Sequence, residues 1–153
     1  MQNIGLDNIF NYLPISDRLA SAGQPDRRQF SQIQSAGYQV VINLALPDSD
    51  HAIPEEAALV AGLGMEYVYI PVIWTAPQPS DLTDFFKAMD ERQEKKVFVH
   101  CAMNFRASAF VFLYRVLRQS VPIEIARQNM SEIWQPNETW QQFIDNALAS
   151  PPR

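Results

Sequence analysis

The chain has 153 residues, a length that predicts one domain with one sizeable hydrophobic core, and we expect that domain to span residues 1–153. Hydrophobic residues make up 47% of the sequence and charged residues 19%, a balance that excludes global disorder. The net charge of −5 disfavours nucleic acid as a partner, because an acidic domain repels a phosphate backbone at long range.

The sequence indicates a cytoplasmic protein. Its one cysteine, Cys101, cannot form an internal disulfide, which fits a reducing compartment. The first residues show no basic segment followed by an apolar run, and no stretch approaches the roughly 18 apolar residues of a membrane span. We therefore expect no signal peptide and no membrane association. One cysteine and two distant histidines form no zinc-ligand pattern, so we expect neither a metal nor a cofactor.

Strands and helices alternate along the first half of the chain. Turn residues and capping signals bound these elements, with Asp26 at a helix start and Gly37 at its end. The predicted elements are a strand over 18–22, a helix over 26–37, a strand over 38–44, a helix over 54–63 and a strand over 66–72.

The second half continues with a helix over 81–92, for which Ser80 is the predicted N-cap. A short strand over 96–99 and helices over 106–118, 122–134 and 136–149 follow. This order predicts an α/β fold of three layers, with a mostly parallel sheet of four to five strands flanked by helices. Ligands bind at the carboxyl ends of such strands, and Cys101 directly follows one of them.

The segment around Cys101 has the chemistry of a nucleophile at an anion site. Residues 97–108 read Val-Phe-Val-His-Cys-Ala-Met-Asn-Phe-Arg-Ala-Ser, a strand, a loop and a helix start. Free N–H groups and the helix dipole at that start favour a thiolate and bind tetrahedral anions. Arg106 is placed to clamp such an anion, and Ser108 to donate a hydrogen bond to the thiolate. Although a lone cysteine after a core strand is usually a small hydrophobe, this combination favours attack on phosphorus through a phosphocysteine.

This element resembles the signature loop His-Cys-x5-Arg-Ser/Thr of the protein tyrosine and dual-specificity phosphatase superfamily. Segments 21–25, 40–44 and 69–72 are similar to a bacterial branch of phosphatase candidates, mostly uncharacterised, and the resemblance covers roughly residues 15–148. It implies a cysteine-phosphatase-like fold with Cys101 as nucleophile, Arg106 as phosphate ligand, Ser108 as assistant to the thiolate and His100 as a loop-orienting residue. The implied phosphate-binding loop consists of Ala102, Met103, Asn104, Phe105 and Arg106.

The loop departs from the superfamily pattern in its spacing. Arg106 follows Cys101 after four residues instead of five, although Ser108 keeps its usual distance from the cysteine. Either the loop is one residue shorter, or the arginine has moved one place along an unchanged loop. Asn104 stands where the superfamily has glycine, and asparagine is the next-best residue for a left-handed conformation.

The second departure concerns the general acid that protonates the leaving oxygen. The superfamily keeps an aspartate in the loop after the third strand, where this chain reads Val72-Ile73-Trp74-Thr75. Trp74 is a candidate lid or stacking residue. The candidate acids are Asp81 and Asp84 on the next helix, and Asp48 and Asp50 in an earlier loop.

The main hypothesis is a metal-free, cysteine-dependent phosphatase that hydrolyses a phosphorylated small molecule or a phosphoprotein, with activity weakened by the missing acid. One alternative is a catalytically weak or inactive module that binds phosphate or phosphopeptides on the same fold. The other is a rhodanese-like sulfur transferase, which also places a cysteine in an anion-binding loop. The sequence indicates neither the physiological substrate nor the oligomeric state.

Overall fold

The computed structural model describes residues 5–152 and confirms the α/β class. Five strands form one sheet: β1 Leu13–Ser16, β2 Leu19–Ala22, β3 Val40–Asn43, β4 Glu66–Tyr69 and β5 Val97–His100. A 3₁₀ turn, Leu6–Asn8, precedes them. The helices are α1 Arg27–Ser35, α2 Glu56–Gly62, α3 Pro79–Asp90, α4 Phe105–Arg118, α5 Ile123–Ser131 and α6 Glu138–Ala149.

The sheet order places β5 at the centre. The strands lie in the order β1-β2-β5-β3-β4, and only the β1–β2 pair is antiparallel. All four residues of β5 are buried, as expected for a parallel strand covered on both faces. His100 pairs with Ala22 on one side and Asn43 on the other, so the carboxyl ends of three strands meet around Cys101.

Two hydrophobic clusters cover the two faces of the sheet. Val97 and Val99 pack with residues of α3, α4, α5 and α6, whereas Phe98 between them packs with Phe30 and Ile33 of α1. Alternate residues of a strand point to opposite faces, so β5 contributes to both layers. Packing on both faces holds β5 in place. The loop that follows it therefore starts from a well-defined position.

The capping residues in the sequence predicted the start of α1 correctly but the start of α3 incorrectly. Asp26 caps α1 through a reciprocal capping box, and Gly37 follows that helix with a φ of 96°. The prediction of Ser80 as the N-cap of α3 was wrong, because the cap is Gln78 and Pro79 lies in the first turn. Proline suits the first helical position, since its fixed φ is helical and it has no N–H to leave unpaired.

The first strand of the sheet was not predicted. In β1, Leu13 is buried and Ile15 half-buried while Pro14 and Ser16 are exposed, and an alternation over only four residues does not by itself identify a strand. It lies at the sheet edge, where Pro14 is tolerated. Within residues 5–152, no helix is long and apolar enough to cross a membrane.

Candidate active site

The loop between β5 and α4 turns through a left-handed residue. Asn104 has a φ of 71° and precedes Phe105, the first residue of α4. Its buried side-chain amide donates a hydrogen bond of 2.8 Å to the carbonyl of Asn11. The sequence-based expectation that asparagine replaces glycine at this turn therefore agrees with the backbone.

The carbonyl groups of five consecutive loop residues are all engaged by hydrogen-bond donors. They are Cys101 O with His100 Nδ1 at 3.2 Å, Ala102 O with Gln24 N at 2.9 Å, Met103 O with Asn11 Nδ2 at 2.9 Å, Asn104 O with Ser108 N at 2.9 Å, and Phe105 O with Ser108 Oγ at 3.0 Å. A peptide group points its N–H opposite to its carbonyl. Bonding the carbonyls to the protein leaves N–H groups free to point into the concave side of the loop.

Several backbone N–H groups of this loop and of the start of α4 have no hydrogen-bond acceptor in the described residues. Among residues 5–152, those of Ala102, Met103, Phe105 and Arg106 donate to no protein acceptor. The N–H of Ala107 points to Cys101 Sγ at 3.4 Å. Together with the dipole of α4, these groups create a positive electrostatic potential beside the sulfur.

A glycine permits β2 to approach the loop closely. A Cβ atom added at Gly23 would lie 2.7 Å from the carbonyl oxygen of Ala102, closer than real contacts allow. The neighbouring Gln24 N–H donates to that same oxygen. The segment Ser21-Ala22-Gly23-Gln24 therefore holds the loop from outside through its backbone.

Arg106 reaches from the first turn of α4 to the rim of the site. Its Nη1 donates to the carbonyl of Val72 at 2.9 Å, and only 7% of the residue is exposed. Arg106 also lines a cavity of about 590 Å³ with Ala102 and Met103 of the loop. A charged guanidinium thus stands beside the unpaired N–H groups.

The Ser108 hydroxyl does not make the hydrogen bond to Cys101 that the sequence predicted. It donates to the carbonyl of Phe105 and accepts a hydrogen bond of 3.0 Å from Trp134 Nε1. In the part of the chain that the structure describes, no hydrogen bond joins it to Cys101. The reason is local, since a serine in the first turn of a helix readily bonds to a carbonyl three residues earlier.

His100 connects the loop to a residue that sequence reasoning missed. Its Nε2 lies 2.7 Å from Oε2 of Glu56, and the two side chains are 0% and 4% exposed. Burial by itself raises the pKa of Glu56, but the hydrogen bond and charge of His100 and further bonds from Gln24 and Tyr67 outweigh it, so the pKa lies below its usual value. The sequence around Pro54 indicated only a helix start there.

The candidate acids fall into two groups. Asp48 and Asp50 line the same cavity as Arg106, together with His51. Asp81 instead accepts a hydrogen bond of 3.0 Å from the Gln78 N–H, and burial raises its pKa. Asp84 is exposed on α3 and, like Asp81, does not line this cavity.

The loop after β4 is fixed by aromatic packing. The Trp74 ring lies 5.5–6.0 Å from the rings of Phe105, Trp134 and Trp140, and its carbonyl accepts a hydrogen bond of 2.8 Å from Trp140 Nε1. This packing does not fit the prediction of Trp74 as a lid. Across residues 5–152, no cluster of three or more histidine, cysteine, aspartate or glutamate side chains could hold a metal ion.

These features define the class of the protein. A cysteine at the carboxyl end of a central parallel strand, in a loop of unpaired N–H groups that leads into a helix, is the architecture of the cysteine-type phosphatases. The family of DSP-PTPase phosphatases described as fused to NAD⁺ kinase matches residues 15–146, so the chain belongs to that family.

Individual relatives agree with this membership. A phosphatase candidate of the DUF442 family from Shewanella putrefaciens CN-32 has a solved structure that is 38% identical, with a TM-score of 0.87 and 97% of each chain covered. The structure of TpbA from P. aeruginosa shares the fold, with a TM-score of 0.72 at 16% identity, and covers 90% of this chain and 85% of that one. A beta-lactamase hydrolase-like protein from Xylella fastidiosa is 33% identical over 107 residues, 67% of this chain but 24% of that protein.

Proposed function

We propose that this domain hydrolyses phosphomonoesters through a phosphocysteine formed on Cys101. The observation that carries the proposal is the loop in which five consecutive carbonyls are engaged by the protein while four N–H groups are unpaired. Such a loop binds the three non-bridging oxygens of a phosphoryl group and stabilises the charge they carry in the transition state. Arg106 adds a cation at the same cavity.

The reaction proceeds in two displacements. The Cys101 thiolate attacks phosphorus, an S–P bond forms, and the bond from phosphorus to the ester oxygen breaks with its electron pair going to that oxygen. The oxygen takes a proton and leaves as an alcohol or phenol. Water then attacks phosphorus and gives up a proton, the S–P bond breaks, and the products are inorganic phosphate and the free thiolate.

The proposed proton donor for the leaving oxygen is Asp48 or Asp50. The loop after β4, residues 70–78, contains no acidic or basic side chain. Asp48 and Asp50 share the cavity with Arg106, whereas Asp81 is used to cap α3. Both candidate aspartates are exposed, so either one is accessible to a leaving group at the mouth of the cavity.

The cavity supports a small phosphorylated molecule as the substrate. Its volume of about 590 Å³ lies within the usual range of ligand pockets, roughly 300–1,000 Å³, and exceeds what a phosphoryl group alone fills. A phosphoprotein substrate would insert a single phosphorylated side chain into the same space.

A phosphate-binding module without turnover is the second candidate. The specific observation in its favour is the fixed loop after β4, which carries no acid and is held by the Trp140 side chain. Membership in a phosphatase family favours phosphoryl chemistry over the sulfur transfer of rhodanese-like proteins.

A comparison of two substrates tests the proposal. We expect slow hydrolysis of an activated aryl phosphate, almost none of an alkyl phosphate such as phosphoserine, and no turnover by Cys101→Ser. General acid catalysis contributes about 10²–10⁴-fold, and it matters most for the poorer leaving group. Phosphate binding without hydrolysis of either substrate would support the binding module, and turnover that survives Cys101→Ser would contradict the mechanism.

A further inference from the structure

The buried pair Glu56–His100 lies directly beneath the phosphate-binding loop. Glu56 is the first residue of α2, and His100 ends β5, 44 positions later in the chain. Both side chains are almost fully buried, and their closest atoms are 2.7 Å apart. A buried ion pair contributes little to stability on balance, because two charges must be removed from water. Its presence next to the nucleophile therefore calls for another explanation.

The two ring nitrogens of His100 each face an oxygen atom. His100 Nδ1 faces the carbonyl oxygen of Cys101 at 3.2 Å, and Nε2 faces the carboxylate of Glu56. Both neighbours are acceptor oxygens, and a ring that donates to both of them carries protons on both nitrogens. Gln24 Nε2 donates to Oε1 of Glu56 at 2.8 Å, which leaves the carboxylate with a separate donor on each oxygen.

Two consecutive carbonyls of the loop are engaged by residues whose side chains bond to Glu56. His100 is bonded to Cys101 O, and the backbone N–H of Gln24 is bonded to Ala102 O at 2.9 Å. Glu56 fixes the side chains of both His100 and Gln24. The titratable groups around Glu56 are His100, Tyr67 and Tyr69 and, one residue beyond His100, Cys101.

We propose that Glu56 is a positioning residue for the phosphate-binding loop. Through His100 and Gln24 it keeps the carbonyls of Cys101 and Ala102 turned outward, which aims the neighbouring N–H groups at the bound oxyanion. This inference rests on the proposed function, since it assigns a support to the loop that binds the phosphoryl group.

Glutamine at position 56 should weaken oxyanion binding. In Glu56→Gln the new amide offers one acceptor and one donor, so it cannot accept from both His100 and Gln24. Loss of one well-aimed N–H contact to a charged ligand corresponds to about ten-fold weaker binding of vanadate. The double variant Gln24→Glu/Glu56→Gln returns a carboxylate to the network, and we expect it to recover most of the affinity.

The matched control is Glu55→Gln, which removes the adjacent carboxylate. Glu55 is exposed and pairs with Arg27, and it does not contact the loop. Vanadate affinity is measured for all four proteins beside their thermal stability. A purely structural role for Glu56 would lower stability and leave the affinity of the folded protein unchanged, which would overturn the inference but not the phosphatase proposal. Failure of the wild type to bind vanadate would overturn both.

A second measurement applies to the unmodified protein. Long-range ¹H–¹⁵N NMR of the imidazole ring distinguishes a doubly protonated histidine from a neutral one. We expect His100 to carry protons on both nitrogens in the wild type. A neutral His100 ring would contradict the proposed network, whether or not Glu56→Gln folds.

Discussion

At the scale of single residues, the position of Arg106 differs from that of the arginine in the superfamily signature. It is the second residue of α4, and its guanidinium donates to the Val72 carbonyl beyond the loop. The position six residues after Cys101, where the superfamily signature has arginine, is Ala107, whose N–H points to the sulfur. The guanidinium of Arg106 is therefore held by the segment after β4, whereas the sulfur of Cys101 is contacted by a backbone N–H of α4.

Substitution of Arg106 by lysine should weaken oxyanion binding strongly. Lysine offers a point charge in place of a planar fork of donors. Hydrogen bonds to charged groups contribute about 1.5–3 kcal/mol each, so one lost contact corresponds to roughly ten- to a hundred-fold weaker binding of vanadate or phosphate. Calorimetric titration measures this, with Arg18→Lys at the opposite end of β2 as control. Unchanged affinity in Arg106→Lys would mean that the guanidinium does not touch the anion.

Substitutions of Asn104 test the importance of the left-handed turn in the loop. Its φ of 71° costs an alanine about 1–2 kcal/mol, and the hydrogen bond to the Asn11 carbonyl is lost as well. We expect Asn104→Ala to be destabilised by about 2–3 kcal/mol in urea unfolding. Asn104→Gly loses the same hydrogen bond without the backbone penalty, so it should be more stable than the alanine variant. Equal losses in the two variants would show that the backbone conformation is not the cause.

At the scale of secondary-structure elements, the sequence predicted the strands, helices and turns that depend on residues close together in the chain. The buried strand β5, the helix α4 and the turn at Asn104 follow from patterns within a dozen positions, and the structure agrees with each. Glu56 and Asn11 were missed because their contacts to the loop span long separations, 44 positions from Glu56 to His100 and 92 from Asn11 to Met103. No local pattern marks such residues, since their role depends on how the strands are ordered in the sheet.

The loop after β4 shows where a general acid can be added. Ile73 is 50% exposed and follows Val72, whose carbonyl holds Arg106. Trp74 is packed in the aromatic cluster, so Trp74→Asp should cost about 3–5 kcal/mol of stability, as for truncation of a packed tryptophan. Position 73 is therefore the place for a carboxylate.

Ile73→Asp should raise the rate of alkyl phosphate hydrolysis. General acids contribute about 10²–10⁴-fold when well placed, and an acid on a fixed loop should give at least about ten-fold in kcat. The matched control is Ile73→Asn, because asparagine has nearly the same shape as aspartate but carries no acidic proton. An equal increase in both variants would indicate a change of loop structure in place of acid catalysis.

At the scale of the whole molecule, an acidic body presents a local anion site. The chain carries a net charge of −5, and the site collects unpaired N–H groups, a helix N-terminus and Arg106 at one edge of the sheet. Asp48 and Asp50 line the same cavity as Arg106, so acidic side chains there oppose a highly charged anion. If the domain acts as the proposed phosphatase, we expect this distribution to favour a substrate with one phosphoryl group over a polyanion.

The pKa values of the tyrosines predict how the stability of the whole fold changes at alkaline pH. Burial raises the pKa of all five, and for Tyr114 the value is raised to about 12. A phenol whose pKa is higher in the folded state than in the unfolded chain stabilises the fold below the unfolded value, near 10, and loses that contribution as pH rises through the folded value. We therefore expect the free energy of unfolding to fall steeply above about pH 10.

Urea unfolding followed between about pH 8 and pH 11, together with tyrosinate absorbance, measures this effect. Because the folded protein resists ionisation, the absorbance should rise together with unfolding and not before it. Tyr38 provides the matched variant, since it is buried against Phe98 and its pKa is strongly raised. Tyr38→Phe keeps the ring and removes the titrating group, so its stability should decline less over the same range. Full tyrosine ionisation near pH 10 in a protein that remains folded would contradict the prediction.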